Sequence, residues 1–100
     1  MHDIADFDSI VIGSGQAAPA LAVTLAGRGE KVALVEAAQL GGTCINNGCT
    51  PTKTLRKSAR VAYLAGRSAE FGIDVGTISI DFGRAMLRMQ DRVDAARAGL

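Results

Sequence analysis

One hundred residues, 48% of them hydrophobic and 21% charged, predict a globular chain of at most one domain and argue against disorder. The formal net charge of +1, with acidic and basic residues interspersed, gives no single-sign field to attract nucleic acid or an anionic membrane. Residues 1–6 lack the features of a signal peptide, and no apolar run approaches the roughly 20 residues that span a bilayer. We therefore expect no nucleic-acid or membrane partner and a cytoplasmic location.

The first predicted elements are a strand and a helix. Ser9–Ile12 is a continuous apolar run that ends at Gly13, which is typical of a strand buried on both faces. Residues 15–26 are rich in Ala and Leu and almost free of charge, and they predict a helix that is buried nearly all round. Pro19 lies near the limit of what the first turn of this helix tolerates, because proline lacks an N–H group.

A second strand is predicted over residues 31–36, after the glycine-rich segment 27–29 that ends the helix. A right-handed crossover through the helix would place the second strand parallel to the first. The polar residue at the end of the second strand, Glu36, lies about where a dinucleotide-binding unit carries its acidic residue.

The turn after the first strand carries a Gly-x-Gly-x-x-Ala pattern typical of a dinucleotide-binding βαβ unit. Gly13 allows a tight turn, Gly15 lets the backbone approach a pyrophosphate, and Ala18 replaces the usual third glycine. Free N–H groups at the helix start would face the phosphates, and Glu36 would accept hydrogen bonds from an adenosine ribose. A glycine turn without a ligand and a solvated charge at a strand end are the alternatives.

Both cysteines of the chain, Cys44 and Cys49, lie in the next turn, and they are a candidate redox-active pair. In a regular helix, residues at this spacing are separated by about 7.5 Å along the axis and roughly 140° around it. They could be bridged only if the turn is distorted or precedes the helix, which Gly48 and the adjacent asparagines tolerate. Zinc binding, with only His2 as a further ligand, and unreactive packed cysteines are the alternatives.

A helix is predicted over residues 52–69, with Pro51 in its first turn and residues 71–73 closing it. Cys49 would lie near the N-terminus of this helix, where the helix dipole favours a thiolate. Lys53 is one turn further along the same face, so its ammonium could reach the same cofactor region. An ordinary surface lysine is the alternative for Lys53.

A last helix is predicted from Asp81, as N-cap, to Gly99, after a loop over residues 72–79. It would continue through Met86, Met89, Val93 and Ala96. Two parallel strands and three helices leave sheet edges and apolar helix faces uncovered. We therefore expect residues 1–100 to be the N-terminal part of a larger α/β fold.

From Phe7 to Lys53 closely, and more loosely to its end, the chain resembles the amino-terminal part of the pyridine nucleotide-disulfide oxidoreductases. This family includes glutathione reductase, dihydrolipoamide dehydrogenase and mercuric reductase. The resemblance rests on the glycine pattern that begins at Gly13 and on the cysteine segment 41–53. It implies that residues 1–100 are part of a Rossmann-like FAD-binding domain that carries the redox-active disulfide, with the NAD(P)-binding and dimerisation domains outside this chain.

The resemblance also implies roles for individual residues. The ADP half of FAD would be held by Gly13, Ser14, Gly15, Gln16, Ala17 and Glu36. Passing beside the cofactor would be Gly41, Gly42 and Thr43. The redox-active disulfide would join Cys49, which faces the flavin, to Cys44, which exchanges with substrate. Lys53 would lie beside the N5 edge of the flavin.

The implied reaction carries electrons from NADH or NADPH to FAD, then to the disulfide, then to a small-molecule disulfide, dithiol or metal-ion substrate. Family members act as homodimers and complete the site with a His-Glu pair of the partner subunit, so these 100 residues alone are not expected to be active. Asn47 and Thr52 depart from the common family pattern and leave the subgroup open, and the segment 50–53 most resembles that of enzymes labelled mercuric reductase-like. The alternatives are a non-catalytic nucleotide-binding module with redox-sensing or inert cysteines, and an isolated thiol-disulfide exchange protein.

Overall fold

A computed structural model describes residues 4–100 and contains two strands, four α-helices and one 3-10 helix. In chain order these elements are β1 (Ser9–Ile12), α1 (Ala18–Gly27), β2 (Val32–Val35), α2 (Gly42–Asn46), α3 (Cys49–Gly66), the 3-10 helix (Ser68–Phe71) and α4 (Phe82–Ala98). The predicted α/β class is confirmed. His2, the third candidate zinc ligand, lies outside the described residues.

The two strands form a parallel pair, as the crossover argument predicts. Their register sets Ser9 opposite Val32 and Ile12 opposite Val35. The pairing continues one residue past the strand end, because the N–H of Gly13 donates to the carbonyl of Val35 at 2.7 Å. This hydrogen bond holds the glycine turn against the end of β2, where Glu36 follows.

Helix α1 begins at Ala18, three residues later than predicted. The later start places Pro19 at the second helical position, where the missing N–H would have had no partner within the helix. The N–H of Ala18 donates to the carbonyl of Gly15 at 3.2 Å, so residues 14–17 form a turn and not a helical turn. The proline therefore sets the helix start and leaves the glycine turn outside the helix.

The prediction that α1 is buried nearly all round is wrong for this chain. No residue of α1 is buried, and Val23 is 72% exposed. The sheet also has an uncovered face, on which Ile10 is 63% and Ile12 87% exposed. An apolar composition predicts burial only where other elements surround the helix, and the described residues supply two strands for α1 to pack against.

The cysteine segment is divided between two helices, α2 and α3. The break lies at Asn47 and Gly48, so Cys49 is the first residue of α3 and Pro51 lies in its first turn. Helix α3 begins and ends three residues before the predicted bounds. At its C-terminal side the predicted helical stretch continues as the 3-10 helix of residues 68–71, which is capped by Gly72 with φ +76°. A helix can start upstream of Pro51, since the first-turn N–H groups have no helical partner.

Helix α4 follows a connecting loop and packs antiparallel against α3. The predicted N-cap is confirmed: the Asp81 carboxylate accepts a hydrogen bond from the N–H of Arg84 at 3.0 Å. Val93, in the second half of α4, is 2% exposed and is the most buried hydrophobic side chain described. Arg88 adds a hydrogen bond to the carbonyl of Thr54 at 3.2 Å.

The described part of the chain measures 69 × 30 × 15 Å and is far from spherical. The α3–α4 hairpin extends away from the sheet, and α2 lies where the sheet and the hairpin meet. None of the helices within residues 4–100 combines the length and the apolar character needed to cross a bilayer. Helix α2 therefore connects the sheet to the α3–α4 hairpin.

Candidate functional site

A cleft of about 430 Å³ lies where both strands end. Its walls come from the turn after β1, the turn after β2 and helix α2, and they comprise Gly13, Ser14, Gly15, Glu36, Ala38, Gln39, Gly42, Thr43, Asn46 and Asn47. The carboxyl edge of parallel strands is the usual ligand-binding edge of an open α/β sheet. Six residues that the sequence predicted for cofactor binding are thus brought together around one cavity.

Ser14 and Glu36 form the centre of this cleft. One oxygen of the Glu36 carboxylate accepts hydrogen bonds from the Ser14 hydroxyl at 2.5 Å and from the Ser14 N–H at 3.2 Å. The other oxygen accepts from the N–H of Ala38 at 3.2 Å. Ser14, only 2% exposed, also accepts a hydrogen bond from the N–H of Gly41 at 3.1 Å. A single hydroxyl therefore joins the three segments that surround the cleft.

These hydrogen bonds favour the ionised form of Glu36. The Ser14 hydroxyl, and after it the N–H of Ala38, lower the pKa of the Glu36 carboxyl below its ordinary value, because both donors favour the charged form. The carboxylate borders the open cleft and has lone pairs left for further donors. An anionic acceptor at this position suits the hydroxyl groups of a ribose.

The backbone around the cleft fits a pyrophosphate group. The described residues offer no hydrogen-bond partner to the N–H groups of Gly15, Gln16 and Ala17, which precede the ten-residue helix α1. Free N–H groups at a helix start, together with the helix dipole, favour an anion. Gly42 approaches the same turn so closely that a Cβ there would lie 2.8 Å from the Gly15 Cα. The site is therefore built from backbone that side chains would obstruct.

A disulfide joins Cys44 of α2 to Cys49 of α3, with a distance of 4.6 Å between the two Cα atoms. We predicted that the two cysteines could be bridged only outside a regular helix. This is confirmed, because the helical structure is interrupted at Asn47 and Gly48, between the two cysteines. Gly48 has φ −126° and ψ −103°, and a Cβ on it would lie 3.2 Å from the Thr43 carbonyl oxygen. Close approach of the backbone thus favours the glycine between the cysteines.

The asparagines contribute differently from the prediction. Neither Asn46 nor Asn47 has a positive φ, so their tolerance of left-handed backbone is not used. Instead, the Asn46 amide donates hydrogen bonds to the carbonyls of Leu40 and Gly42, both at 2.9 Å. Its carbonyl oxygen accepts two from Arg97 of α4, at 2.9 and 2.6 Å. Asn46 is a site residue that the sequence analysis passed over, although its place between the cysteines was a signal.

Lys53 is not brought to the cleft. It lies on α3 one turn beyond Cys49, in a separate depression formed with Arg56, Lys57 and Arg60. Gln16 and Ala17 are exposed in the turn before α1 and also lie outside the cleft wall. Within residues 4–100, no three His, Cys, Asp or Glu side chains come together in a group that could hold a metal ion.

Comparison with known sequences identifies the class of protein that this site defines. Residues 7–98 match the sequence profile of the pyridine nucleotide-disulphide oxidoreductases, so the chain belongs to that family. Membership implies FAD as the bound cofactor and NAD(P)H as the reductant, and the glycine turns and unpaired N–H groups described above fit the pyrophosphate of FAD. The predicted family and cofactors are confirmed.

Individual relatives carry two different names. The chain is 49% identical to the dihydrolipoyl dehydrogenase of Chlorobaculum parvum over 84% of its own length and 18% of the relative. It is 36% identical to a dihydrolipoyl dehydrogenase of Bacillus subtilis, over 95% of this chain and 20% of that one. It is 35% identical to the mercuric reductase of Bacillus cereus, over 92% and 15%. The chain thus spans about a fifth of these relatives, and the mercuric reductase-like subgroup stays a prediction.

Proposed function

We propose that residues 1–100 act within a longer protein as part of the FAD-binding domain of an NAD(P)H-dependent disulfide oxidoreductase. The observation that carries the proposal is the position of the Cys44–Cys49 disulfide. Thr43 and Asn46, on either side of Cys44, line the cleft that fits a dinucleotide, and Cys49 begins the adjacent helix. Helix α2 thus contributes residues both to the cofactor cleft and to the redox-active disulfide, so cofactor binding and disulfide exchange would take place next to each other.

At the edge of the cleft, the free N–H groups of Gly15, Gln16 and Ala17 would bind the pyrophosphate, and within it Glu36 would bind the ribose. Ser14 would orient Glu36, and its own hydroxyl would be held by the N–H of Gly41. Gly42 and Thr43 would lie along the cofactor, since they form the opposite wall. When bound, FAD supplies the two-electron chemistry that links a nicotinamide to a disulfide.

At the disulfide, the two sulfurs have different surroundings. Cys49 begins the 18-residue helix α3, and a helix N-terminus stabilises a thiolate. We assign Cys49 as the sulfur that faces the cofactor and Cys44 as the thiol that exchanges with substrate. The Cys44 thiolate would attack a substrate disulfide, forming a mixed disulfide and releasing one substrate thiolate. The Cys49 thiolate would then attack the Cys44 sulfur of the mixed disulfide and release the second substrate thiolate. The substrate gains two electrons and two protons, and the Cys44–Cys49 bond forms again.

The remaining parts of the enzyme would lie outside these residues. We infer that the NAD(P)-binding and dimerisation domains belong to the longer protein, that it is a homodimer in the cytoplasm, and that the substrate is a small-molecule disulfide, dithiol or metal ion. Lys53 would reach the flavin edge from its place one turn beyond Cys49, as a cofactor contact outside the cleft wall. The relatives' names, which include both a dehydrogenase of dihydrolipoyl groups and a mercuric reductase, support this range of substrates.

The test is the visible absorption spectrum of the full-length protein before and after anaerobic reduction with dithionite or NAD(P)H. We expect a flavin spectrum, and on two-electron reduction a long-wavelength charge-transfer band that Cys49→Ser removes. Cys44→Ser, which leaves the Cys49 thiolate in place, is the matched control and should retain the band. Absence of flavin from folded protein supplied with FAD would overturn the proposal and leave a non-catalytic nucleotide-binding module with a redox-sensing cysteine pair.

A further inference from the structure

Arg97, near the end of α4, contacts the disulfide region from across the molecule. Its Nε and one terminal nitrogen donate to the Asn46 side-chain oxygen at 2.9 and 2.6 Å. The side chain is only 29% exposed, and its other terminal nitrogen lies 3.7 Å from the Asp94 carboxylate. This pair joins residues 51 positions apart in the sequence, so the contact depends on how α4 packs against α2.

Asn46 connects Arg97 to the backbone that precedes Cys44. Its amide nitrogen donates to the carbonyls of Leu40 and Gly42, and Gly42 lines the cleft. Asn46 is also the last residue of α2, directly before the break that leads to Cys49. One side chain therefore holds both the entry to α2 and its end, and Arg97 fixes the orientation of that side chain.

We infer that Arg97 is a positioning residue for the redox-active cysteines, acting through Asn46. The inference rests on the proposed function, since it assigns a role at the same disulfide. When the bond is reduced, the covalent link between α2 and α3 is lost, and noncovalent contacts alone keep the two thiols close. The hydrogen bonds among Arg97, Asn46 and the two carbonyls supply such contacts in the disulfide form, and they raise the effective concentration of one thiol at the other.

The exchange equilibrium with glutathione in the full-length protein measures that effective concentration. The two cysteine thiols give up two electrons and two protons, and one glutathione disulfide becomes two glutathione molecules. We expect Arg97→Met to lower the equilibrium constant for disulfide formation roughly tenfold, the change that follows when a charged donor is lost. Arg97→Lys, which can still donate to the Asn46 oxygen, should lower it roughly threefold.

Arg92→Met is the matched control, because Arg92 is an exposed arginine of the same helix, and it should leave the constant unchanged. Asn46→Ala should lower the constant at least as much as Arg97→Met. The double variant should be no worse than Asn46→Ala alone, because Arg97 acts through Asn46. An unchanged or higher constant in folded Arg97→Met, or additive effects in the double variant, would overturn the inference. If Arg97→Met does not fold, Arg97→Lys decides in the same way.

Failure of this inference can be told apart from failure of the proposed function. The glutathione equilibrium is measured by thiol trapping and needs no flavin chemistry, whereas the proposed function depends on bound flavin and on the charge-transfer band. Flavin content and band are therefore recorded for each variant. A normal band with an unshifted constant refutes the role of Arg97 alone, and a shifted constant without flavin refutes the enzyme assignment alone.

Discussion

The cleft end of the elongated molecule and its α3–α4 arm are stabilised by different interactions. At the cleft, the Ser14 hydroxyl donates to Glu36 and accepts from the N–H of Gly41, so hydrogen bonds join segments 22 and 27 residues apart in sequence. In the α3–α4 arm, helix packing dominates, and apolar side chains such as Ile80 and Phe82 are 68% and 69% exposed. The comparison teaches that substitutions at the cleft should change chemistry as well as stability, whereas substitutions in the arm away from Cys49 and Arg97 should change stability alone.

The largest expected effect is the loss of either cysteine at the cleft end. Cys44→Ser and Cys49→Ser should each lower the turnover of the full-length enzyme by roughly a thousandfold or more, because neither variant can cycle between disulfide and dithiol. Steady-state oxidation of NAD(P)H with a disulfide substrate measures this. Turnover within tenfold of the unchanged enzyme in either variant would contradict the assignment of the pair.

Next in size is Gly42→Ala, compared with Gly76→Ala in the loop of the arm. Both glycines have a positive φ, +68° and +72°, so both variants share a backbone strain of about 1–2 kcal/mol. Only at Gly42 would the new Cβ also meet backbone, 2.8 Å from the Gly15 Cα, whereas nothing lies within 4 Å of it at Gly76. Gly42→Ala should therefore also lose FAD, by roughly tenfold in affinity.

Flavin content and melting temperature of the two full-length glycine variants separate these effects. We expect Gly76→Ala to lower Tm slightly and to keep its flavin. Equal flavin affinity in the two variants would show that the close approach of Gly42 to Gly15 is not needed for cofactor binding, and it would remove one difference between the two ends of the molecule.

A smaller, pH-dependent effect is expected for Ser14→Ala. Because the folded-state pKa of Glu36 lies below its ordinary value of 4.5, the stability that Glu36 contributes is present above that value and is lost as the pH falls through the folded-state pKa. Ser14→Ala removes the main cause of the lowered pKa. The Tm deficit of the variant should therefore be largest at neutral pH and should shrink in acid.

Part of the deficit should remain at every pH, since the variant also loses the hydrogen bond from the N–H of Gly41. Combining Ser14→Ala with Glu36→Gln isolates the ionic part: against a Glu36→Gln background, the deficit should no longer depend on pH. A Ser14→Ala deficit that grows as the pH is lowered would contradict the predicted sign.

The smallest effect is expected in the arm, from Asp81→Ala. Loss of the cap to the N–H of Arg84 should cost about 1 kcal/mol of helix stability and leave flavin content and turnover unchanged. Asp91→Ala, at an exposed position within the same helix, is the control and should have a smaller effect on Tm. A loss of flavin in Asp81→Ala would show that the arm and the cleft are more tightly joined than the comparison implies.

Local sequence signals predicted much of the fold and of the site. The apolar run before Gly13, the cap at Asp81 and the proline of α3 each act within a few residues, so each could be assigned without knowledge of the rest. The predicted start of α1 was wrong by three residues. Pro19 could have given the correct start, because proline is favoured in the first turn of a helix and therefore indicates that the helix begins just before it.

The sequence by itself determined the two glycine turns, the acid after β2 and the cysteine pair, because these depend on residue type at fixed short spacing. Only the tertiary structure decided that Ser14 joins Glu36 to Gly41, that Gly42 packs against Gly15, and that Arg97 holds Asn46. Such contacts link residues 22 to 51 positions apart. No periodic pattern records which distant side chains will meet, since that follows from how the strands and helices pack.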